Sequence, residues 1–245
     1  MSARKLVFIF VLALLVFSVI KTPAALIASQ ITLPNNVAYQ GLSGSVWQGN
    51  ISKLKVDQWL LNDVEWTVSP ANLFLGEAAI DVRFGKARDK SQISGKGRLL
   101  LSMSDVAAEK LTVRLPADPL KRMLPIPVGN LGGRVLLDIE AYQKGETLCN
   151  QLTGELTWAK SEIDFGGPVS LGSISSELSC VNNNIVASFD GNNQLGLEGA
   201  ATVQSTAKYN FDGFLKPDAQ LPAAIHEGLR MFGKADSKGK YRIKI

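Results

Sequence analysis

The residue types that most often carry out enzymatic chemistry are few in this chain of 245 residues. His226 is the one histidine, and Cys149 and Cys180 are the two cysteines. A serine hydrolase would have to use His226, but no serine lies in a Gly-x-Ser-x-Gly nucleophile elbow. With one histidine and two cysteines, a transition-metal site lacks ligands. We therefore expect His226 to be a surface or boundary residue.

Other kinds of chemistry have no better support. The carboxylates occur singly and alternate with apolar residues, which is typical of solvated strand faces and not of a glycosidase pair. Neither a phosphate-binding loop nor a dinucleotide fingerprint is present. The net charge of +4 is too small to indicate nucleic-acid binding. The sequence predicts a protein that is not an enzyme, with no catalytic, cofactor-binding or metal site and no nucleic acid among its partners.

A basic cluster lies at the end of the chain. Three cations alternate there with apolar residues and so share one face of a strand: Lys240, Arg242 and Lys244. A charged edge strand resists pairing with another sheet. The alternative is contact with anionic lipid or with an acidic partner. These three residues are the candidates for partner or membrane contact.

The elements that position these residues are mainly strands. From residue 37 onward, apolar and polar residues alternate with a period of two, in short runs separated by glycine, asparagine and proline. Strands with one apolar face belong to antiparallel sheets. The run over residues 78–84 is one example, and Asn182–Asn184 supply the residues of a tight hairpin. The sequence predicts a mainly β fold with a long, curved antiparallel sheet, whose core takes the four tryptophans: Trp47, Trp59, Trp66 and Trp158.

Three short helices are predicted to interrupt the sheet. Ser69-Pro70 and Asp118-Pro119 each pair an N-cap residue with proline at the first helical position, ahead of residues 71–75 and 120–124. A third helix is predicted to begin at Pro222 and to end near Phe232, before Gly233.

Two stretches of the chain are similar at a spacing of about 106 residues. Both consist of Leu-Pro-Ala, a predicted helix and an alternating strand, over residues 115–139 and 221–245. A second pair, residues 42–47 and 152–158, is about 110 residues apart. Chance similarity between strand-rich segments is the alternative. We expect two tandem units, about 37–145 and 146–245, in one continuous sheet.

The N-terminal segment predicts the compartment. Arg4 and Lys5 precede an apolar run over residues 6–20, which is too short for a hydrocarbon core of about 30 Å. A helix over residues 6–28 spans it if Lys21 extends toward the headgroups. Basic residues keep residues 1–5 in the cytoplasm. We expect a transmembrane anchor over residues 6–28 and an exported domain over residues 29–245, with a cleaved signal peptide as the alternative.

Export would place the two cysteines in a compartment where a disulfide is stable. A disulfide between Cys149 and Cys180 would persist in an oxidising compartment. It would stabilise the fold by about 3–4 kcal/mol on the chain-entropy model. The alternative is two cysteines that are buried separately.

These features together resemble the type II secretion system protein N family. The resemblance is carried by the N-terminal segment, Leu33-Pro34 and the two cysteines, and by three motifs: Gly-Leu-Ser-Gly-Ser-Val-Trp-Gln-Gly over residues 41–49, Cys-x-x-Leu-x-Gly-x-x-x-Trp over residues 149–158, and Leu-Pro, a helix and Gly-x-Tyr-x-Ile over residues 221–243. It covers nearly the whole chain in the right order, although the motifs are short and mostly structural.

The resemblance implies a single-pass protein of the bacterial inner membrane with a cytoplasmic N-terminus and a periplasmic domain. It implies an accessory or scaffold role in the machinery that exports folded proteins across the outer membrane, with other inner-membrane subunits as partners and no enzymatic activity. A more distant similarity to AsmA-type envelope proteins implies the alternative function, a groove for lipid or another apolar ligand.

Overall fold

The computed structural model describes residues 3–30, 32–123, 129–164, 167–205, 208–230 and 233–245. In these residues thirteen strands form one antiparallel sheet, and the order of the strands in the sheet is their order in the chain. The prediction of a mainly β fold with one large antiparallel sheet is confirmed. The strands are β1 (Val37–Gly44), β2 (Gln48–Val56), β3 (Trp59–Ser69), β4 (Ala78–Phe84), β5 (Ser94–Leu101), β6 (Val106–Pro116), β7 (Leu131–Gln143), β8 (Gln151–Asp164), β9 (Pro168–Val181), β10 (Asn184–Asp190), β11 (Glu198–Ser205), β12 (Lys208–Leu215) and β13 (Tyr241–Lys244).

The connections between strands alternate between the two ends of this sheet, because each strand runs opposite to the one before it. We call the end with the connections at residues 45–47, 70–77 and 102–105 the entry end. The opposite end, with the connections at residues 57–58, 85–93 and 191–197, is the far end.

Four α-helices and one 3-10 helix accompany the sheet. They are α1 (Ala3–Ile20), α2 (Ala24–Gln30), α3 (Pro70–Leu73), the 3-10 helix (Asp118–Met123) and α4 (Ala223–Leu229). The starts predicted at residues 70 and 118 are therefore confirmed. α3 is shorter than predicted, because the backbone N–H groups of Leu75 and Gly76 already close a turn on Asn72 and Leu73. Leu124 and Phe232, the predicted ends of the other two helices, lie outside the described residues.

The N-terminal segment consists of two helices instead of the single helix expected through residue 28. The break falls at Lys21–Pro23, since proline lacks an N–H donor and disfavours helical backbone at Thr22. Pro23 pairs with Ser45, and the N–H of Val46 donates to the carbonyl of Thr22 at 3.1 Å. No helix in the described part of the chain is both long enough and apolar enough to cross a membrane. The anchor over residues 6–28 stays a prediction.

The hydrophobic core lies at the far end, where α4 and the 3-10 helix cover the apolar face of the sheet. Ile225 of α4 packs with Leu171 of β9, and Leu229 of α4 packs with Ile243 of β13. Leu171 is completely buried. A further cluster next to the 3-10 helix contains Ala117, Leu131 and Val135.

Much of the sheet is a single layer. The accessible surface of the chain is 15952 Å², whereas a compact monomer of 26.4 kDa would expose roughly 10,600 Å². The excess agrees with core clusters that lie at the far end, while single residues such as Leu152 and Leu178 are buried toward the entry end. Both faces of the sheet are therefore accessible over much of its area.

Of the two pairs of similar sequence motifs, only the first pair occupies equivalent positions in the sheet. In the first pair, both helical connections lie at the far end, between β6 and β7 and between β12 and β13, six strands apart. In the second pair, residues 42–47 comprise the end of β1 and the connection after it, whereas residues 152–158 lie in β8, and these two strands run in opposite directions. The second pair is thus not a structural repeat. The division into units 37–145 and 146–245 stays a prediction.

Candidate functional site

The disulfide between Cys149 and Cys180 is present, as predicted. The two Cα atoms are 6.0 Å apart, and the Cys149 side chain has no exposed surface. The bond joins the connection between β7 and β8 to the end of β9, at the entry end of the sheet. The alternative of two separately buried cysteines is therefore wrong.

Hydrogen bonds hold the same connection in place. The Tyr142 hydroxyl donates to the carbonyl of Leu148 at 2.6 Å, and the N–H of Leu148 donates to the carbonyl of Asn183 at 3.3 Å. Asn182 and Asn183 both have positive φ, at 51° and 61°, as the predicted hairpin requires. These contacts fix the β7–β8 and β9–β10 connections to each other.

The basic cluster lies at the last edge of the sheet. Arg242 contacts both carboxylate oxygens of Asp212 on β12 at 3.2 Å, and the Lys244 ammonium lies 4.0 Å from the same carboxylate. Lys240 forms an ion pair with Glu198 and lies over the Phe214 ring. The cations are therefore compensated in part by acids of neighbouring strands. Contact of Lys240, Arg242 and Lys244 with a partner or membrane stays a prediction.

A row of charged side chains crosses the polar face of the sheet. Arg98 on β5 donates to both oxygens of Asp81 on β4, at 2.8 and 3.0 Å. The hydrogen bond from Arg98 lowers the pKa of Asp81, and the charge of Arg98 adds to this effect. Both side chains are about half exposed, so water weakens the pair.

Further along this face three carboxylates follow one another. Asp138 on β7 is in register with Glu155 on β8, which is in register with Glu177 on β9. We call these three residues the carboxylate row. Hydroxyl groups donate to two of them, Thr112 to Asp138 at 2.6 Å and Thr157 to Glu155 at 2.7 Å. Like charges directly opposite each other on neighbouring strands destabilise a sheet.

The carboxylate row lines a hollow of about 1100 Å³ together with Lys96 and Lys110. A second hollow of about 380 Å³ is lined by Asp81, Arg98 and their charged neighbours. The walls of both hollows combine charged side chains with apolar surface, which in the larger hollow comes from Ile139, Leu178 and Phe189. The predicted groove for lipid or another apolar ligand stays a prediction.

His226, the one histidine, is half-buried on α4 between the buried residues Ile225 and Leu229. This is the boundary position that was expected. In the part of the chain that the structure describes, no three His, Cys, Asp or Glu side chains are arranged to hold a metal ion.

Two of the tryptophans bridge elements of the sheet. The indole N–H of Trp158 donates to the carbonyl of Gly132 at 2.8 Å, and its ring packs against two of the core clusters. The indole N–H of Trp66 donates to the carbonyl of Val46 at 3.1 Å. The core role predicted for Trp158 is therefore confirmed.

Sequence reasoning missed two apolar tips at the entry end. Phe74 and Leu75, between β3 and β4, are 93% and 83% exposed, and Met103, between β5 and β6, is fully exposed. The signal that could have revealed Phe74 and Leu75 is their position next to Gly76, in a connection between two well-defined strands.

Comparison with known proteins identifies one family and relatives that share its name. Residues 35–244 match the family model described as "Type II secretion system (T2SS), protein N". Type II secretion system protein N of Vibrio cholerae is 27% identical over 237 residues, which cover 95% of this chain and 93% of that protein. The protein of the same name from Aeromonas hydrophila is 28% identical over 244 residues, with 96% and 94% coverage.

A third relative, type II secretion system protein N of Pectobacterium carotovorum subsp. carotovorum, is 25% identical over 234 residues, with 94% and 90% coverage. No solved structure matches the chain significantly. The family model covers nearly all of the thirteen-stranded sheet, from just before β1 to the last residue of β13. The chain therefore belongs to the type II secretion system protein N family.

Proposed function

We propose that this chain is a non-enzymatic scaffold or accessory component of the type II secretion system at the bacterial inner membrane, with its sheet in the periplasm. The observation that carries the proposal is the family match over residues 35–244. The three relatives are also similar to this chain over nearly their whole lengths, so their role in secretion can be transferred to the chain as a whole.

The N-terminal segment supports attachment to the membrane. Every described apolar side chain of α1 is exposed, and Phe8, Phe10 and Phe17 are each more than two-thirds exposed. An apolar helix that no protein surface covers is stable in lipid. Arg4 and Lys5 precede the apolar run, which favours a cytoplasmic N-terminus. The disulfide supports an oxidising compartment for the sheet.

The two outer strands supply the surfaces for binding other subunits. In the described residues β1 pairs only with β2, and β13 pairs only with β12. Each is therefore an edge strand with an outer side at which another strand can pair, and α2 packs beside β1 without pairing with it. β1 contains no charged residue, whereas β13 carries Arg242 and Lys244. We expect β1 to be the better acceptor of a partner strand, because charges on an edge oppose pairing.

Site-specific photo-crosslinking in cells tests this function. A photoreactive amino acid replaces Tyr39 on β1 or Lys244 on β13, and a matched control replaces the exposed Lys86 at the far end. We expect position 39, and less strongly position 244, to capture other type II secretion subunits, with little capture at position 86. If positions 39 and 244 both captured only unrelated proteins, the scaffold role would be contradicted.

Membrane attachment is tested separately. Alkaline phosphatase fused after residue 30 should be active, and the full chain should stay with membranes in alkaline carbonate. Intact mass of the isolated protein distinguishes an uncleaved anchor from a cleaved signal peptide. A fusion that is produced but inactive would contradict export, because alkaline phosphatase needs disulfides that form outside the cytoplasm.

A further inference from the structure

We propose that the entry end of the sheet rests on the bilayer, with Phe74, Leu75 and Met103 inserted into the interface between headgroups and acyl chains. This inference rests on the proposed membrane attachment and adds to it a defined orientation of the periplasmic domain. The occupant of these apolar tips is lipid and not another protein.

The first argument is where the chain enters the sheet. Pro23 pairs with Ser45, and Thr22 accepts a hydrogen bond from Val46, in the connection between β1 and β2. The end of α1 is two residues from this contact. A membrane that holds α1 therefore lies beside the entry end, and the far end points away from it.

The second argument is the location of the apolar tips. The connections that contain Phe74 and Met103 lie at the same end as Ser45, because alternate connections of an antiparallel meander share one end. Strands are about 4.8 Å apart, so each of these connections is roughly 10 Å from the next. The three connections thus lie within the footprint of one membrane surface beside α1.

The third argument is the form of the tips. The N–H groups of Leu75, Gly76 and Glu77 donate to backbone carbonyls of Asn72 and Leu73 at 2.9–3.2 Å. At the other tip, Ser102 donates its N–H to the carbonyl of Asp105, and Asp105 donates its N–H to the Ser102 hydroxyl. Three backbone donors of the first turn and two of the second are therefore satisfied internally, while the apolar side chains of the turns are exposed. A turn with satisfied donors can enter a poorly hydrated layer without losing hydrogen bonds to water.

The fourth argument is the contrast with the far end. The connection between β4 and β5 carries Lys86, Arg88, Asp89 and Lys90, and the structure places no exposed large apolar side chain in it. The two entry-end connections with apolar tips carry one charge each, Glu77 and Asp105. A tip with one charge and exposed apolar side chains suits the interface of a bilayer better than a connection with four charges, which suits water.

Spin-label accessibility in the full chain tests the proposal. Both native cysteines are in the disulfide, so a single added cysteine takes the nitroxide label under non-reducing conditions. Phe74→Cys and Met103→Cys report on the tips, Ala87→Cys is the far-end control, and Phe10→Cys reports on α1. Each chain is reconstituted into vesicles of phosphatidylethanolamine and phosphatidylglycerol, without other proteins.

We expect labels at positions 74 and 103 to collide more often with lipid-soluble oxygen than with a water-soluble nickel complex, and the label at position 87 to show the reverse. The substituted side chains are exposed, so the fold and the disulfide stay intact. Labels at 74 and 103 that match position 87 would overturn the proposal, and would favour a protein occupant or bulk water.

The label at position 10 separates this inference from the proposed membrane attachment. A membrane-buried label at position 10 with water-exposed labels at 74 and 103 overturns the orientation and leaves the attachment intact. A water-exposed label at position 10 with membrane-buried labels at 74 and 103 contradicts the attachment through α1 and supports insertion of the tips. Water-exposed labels at all three positions overturn both.

Discussion

Glu155 on β8 faces Asp138 on one side and Glu177 on the other, in direct register across three neighbouring strands. Replacing the central carboxylate by an amide removes two repulsions and keeps an oxygen that can accept from Thr157. We predict that Glu155→Gln raises the free energy of unfolding by about 0.2–1 kcal/mol. Urea unfolding at neutral pH measures the change.

The matched control for this substitution is Glu162→Gln on the same strand. Glu162 is in register with Gly132 and Ser170, neither of which is charged. Its replacement should leave the urea midpoint nearly unchanged. An equal gain from both substitutions would mean that the register of the carboxylate row is not the cause.

Removing the disulfide should lower stability by a predictable amount. The bond closes a loop with a sequence separation of 31 residues, which corresponds to about 3–4 kcal/mol on the chain-entropy model. The chain with Cys149→Ala and Cys180→Ala should lose about this much free energy of unfolding. Wild-type protein unfolded in a reducing agent should match the double variant, and a midpoint that does not respond to reduction would contradict the prediction.

The ion pair between Asp81 and Arg98 predicts a small pH dependence. The pKa of Asp81 is lowered in the folded chain, so the pair stabilises the fold above the ordinary pKa near 3.8. This contribution is lost as the pH falls through the lower folded value. Because both side chains are about half exposed, water screens the pair and we expect the contribution to be small.

Carboxyl NMR titration of Asp81 tests this pair directly. In Arg98→Met the pKa of Asp81 should rise toward its ordinary value. The substitution Arg83→Met, on the same strand as Asp81, serves as the control and should leave that titration nearly unchanged. No rise in Arg98→Met would show that the hydrogen bond is not the main cause.

The far-end core should dominate the stability of the sheet. Leu171 is completely buried among residues of β9 and α4, and Leu171→Ala should cost about 2–5 kcal/mol because it leaves a cavity. Leu60 on β3 is 46% exposed, and Leu60→Ala should cost less than about 1 kcal/mol. Chemical unfolding of the two variants compares them, and similar losses would contradict the core position of Leu171.

Local signals predicted the parts of the fold that depend on neighbours in sequence. The alternation over residues 78–84 corresponds to β4, and Asn182 and Asn183 form the expected turn. The disulfide was predicted from two cysteines and the expectation of an exported domain. In each case a short stretch, or a pair of residues of one type, carried enough information.

The features that depend on register or on tertiary contacts could not be predicted. The alternation showed that Asp138, Glu155 and Glu177 lie on strand faces, but only the pairing of three strands places them side by side. Hydropathy favoured one helix through residue 28. Hydropathy takes no account of tertiary contacts. It therefore could not predict the hydrogen bond from Val46 to Thr22, which connects the break at Pro23 to the sheet.

The pairing of each described strand only with its neighbours in sequence has a consequence for folding if the domain is exported as proposed. A chain that crosses the membrane from its N-terminus can complete each hairpin as it emerges, since no described strand waits for a partner far along the chain. The growing sheet then presents one temporary unpaired edge, which the next segment covers. The disulfide between Cys149 and Cys180 joins segments that emerge close together, so it can form before the last strands arrive.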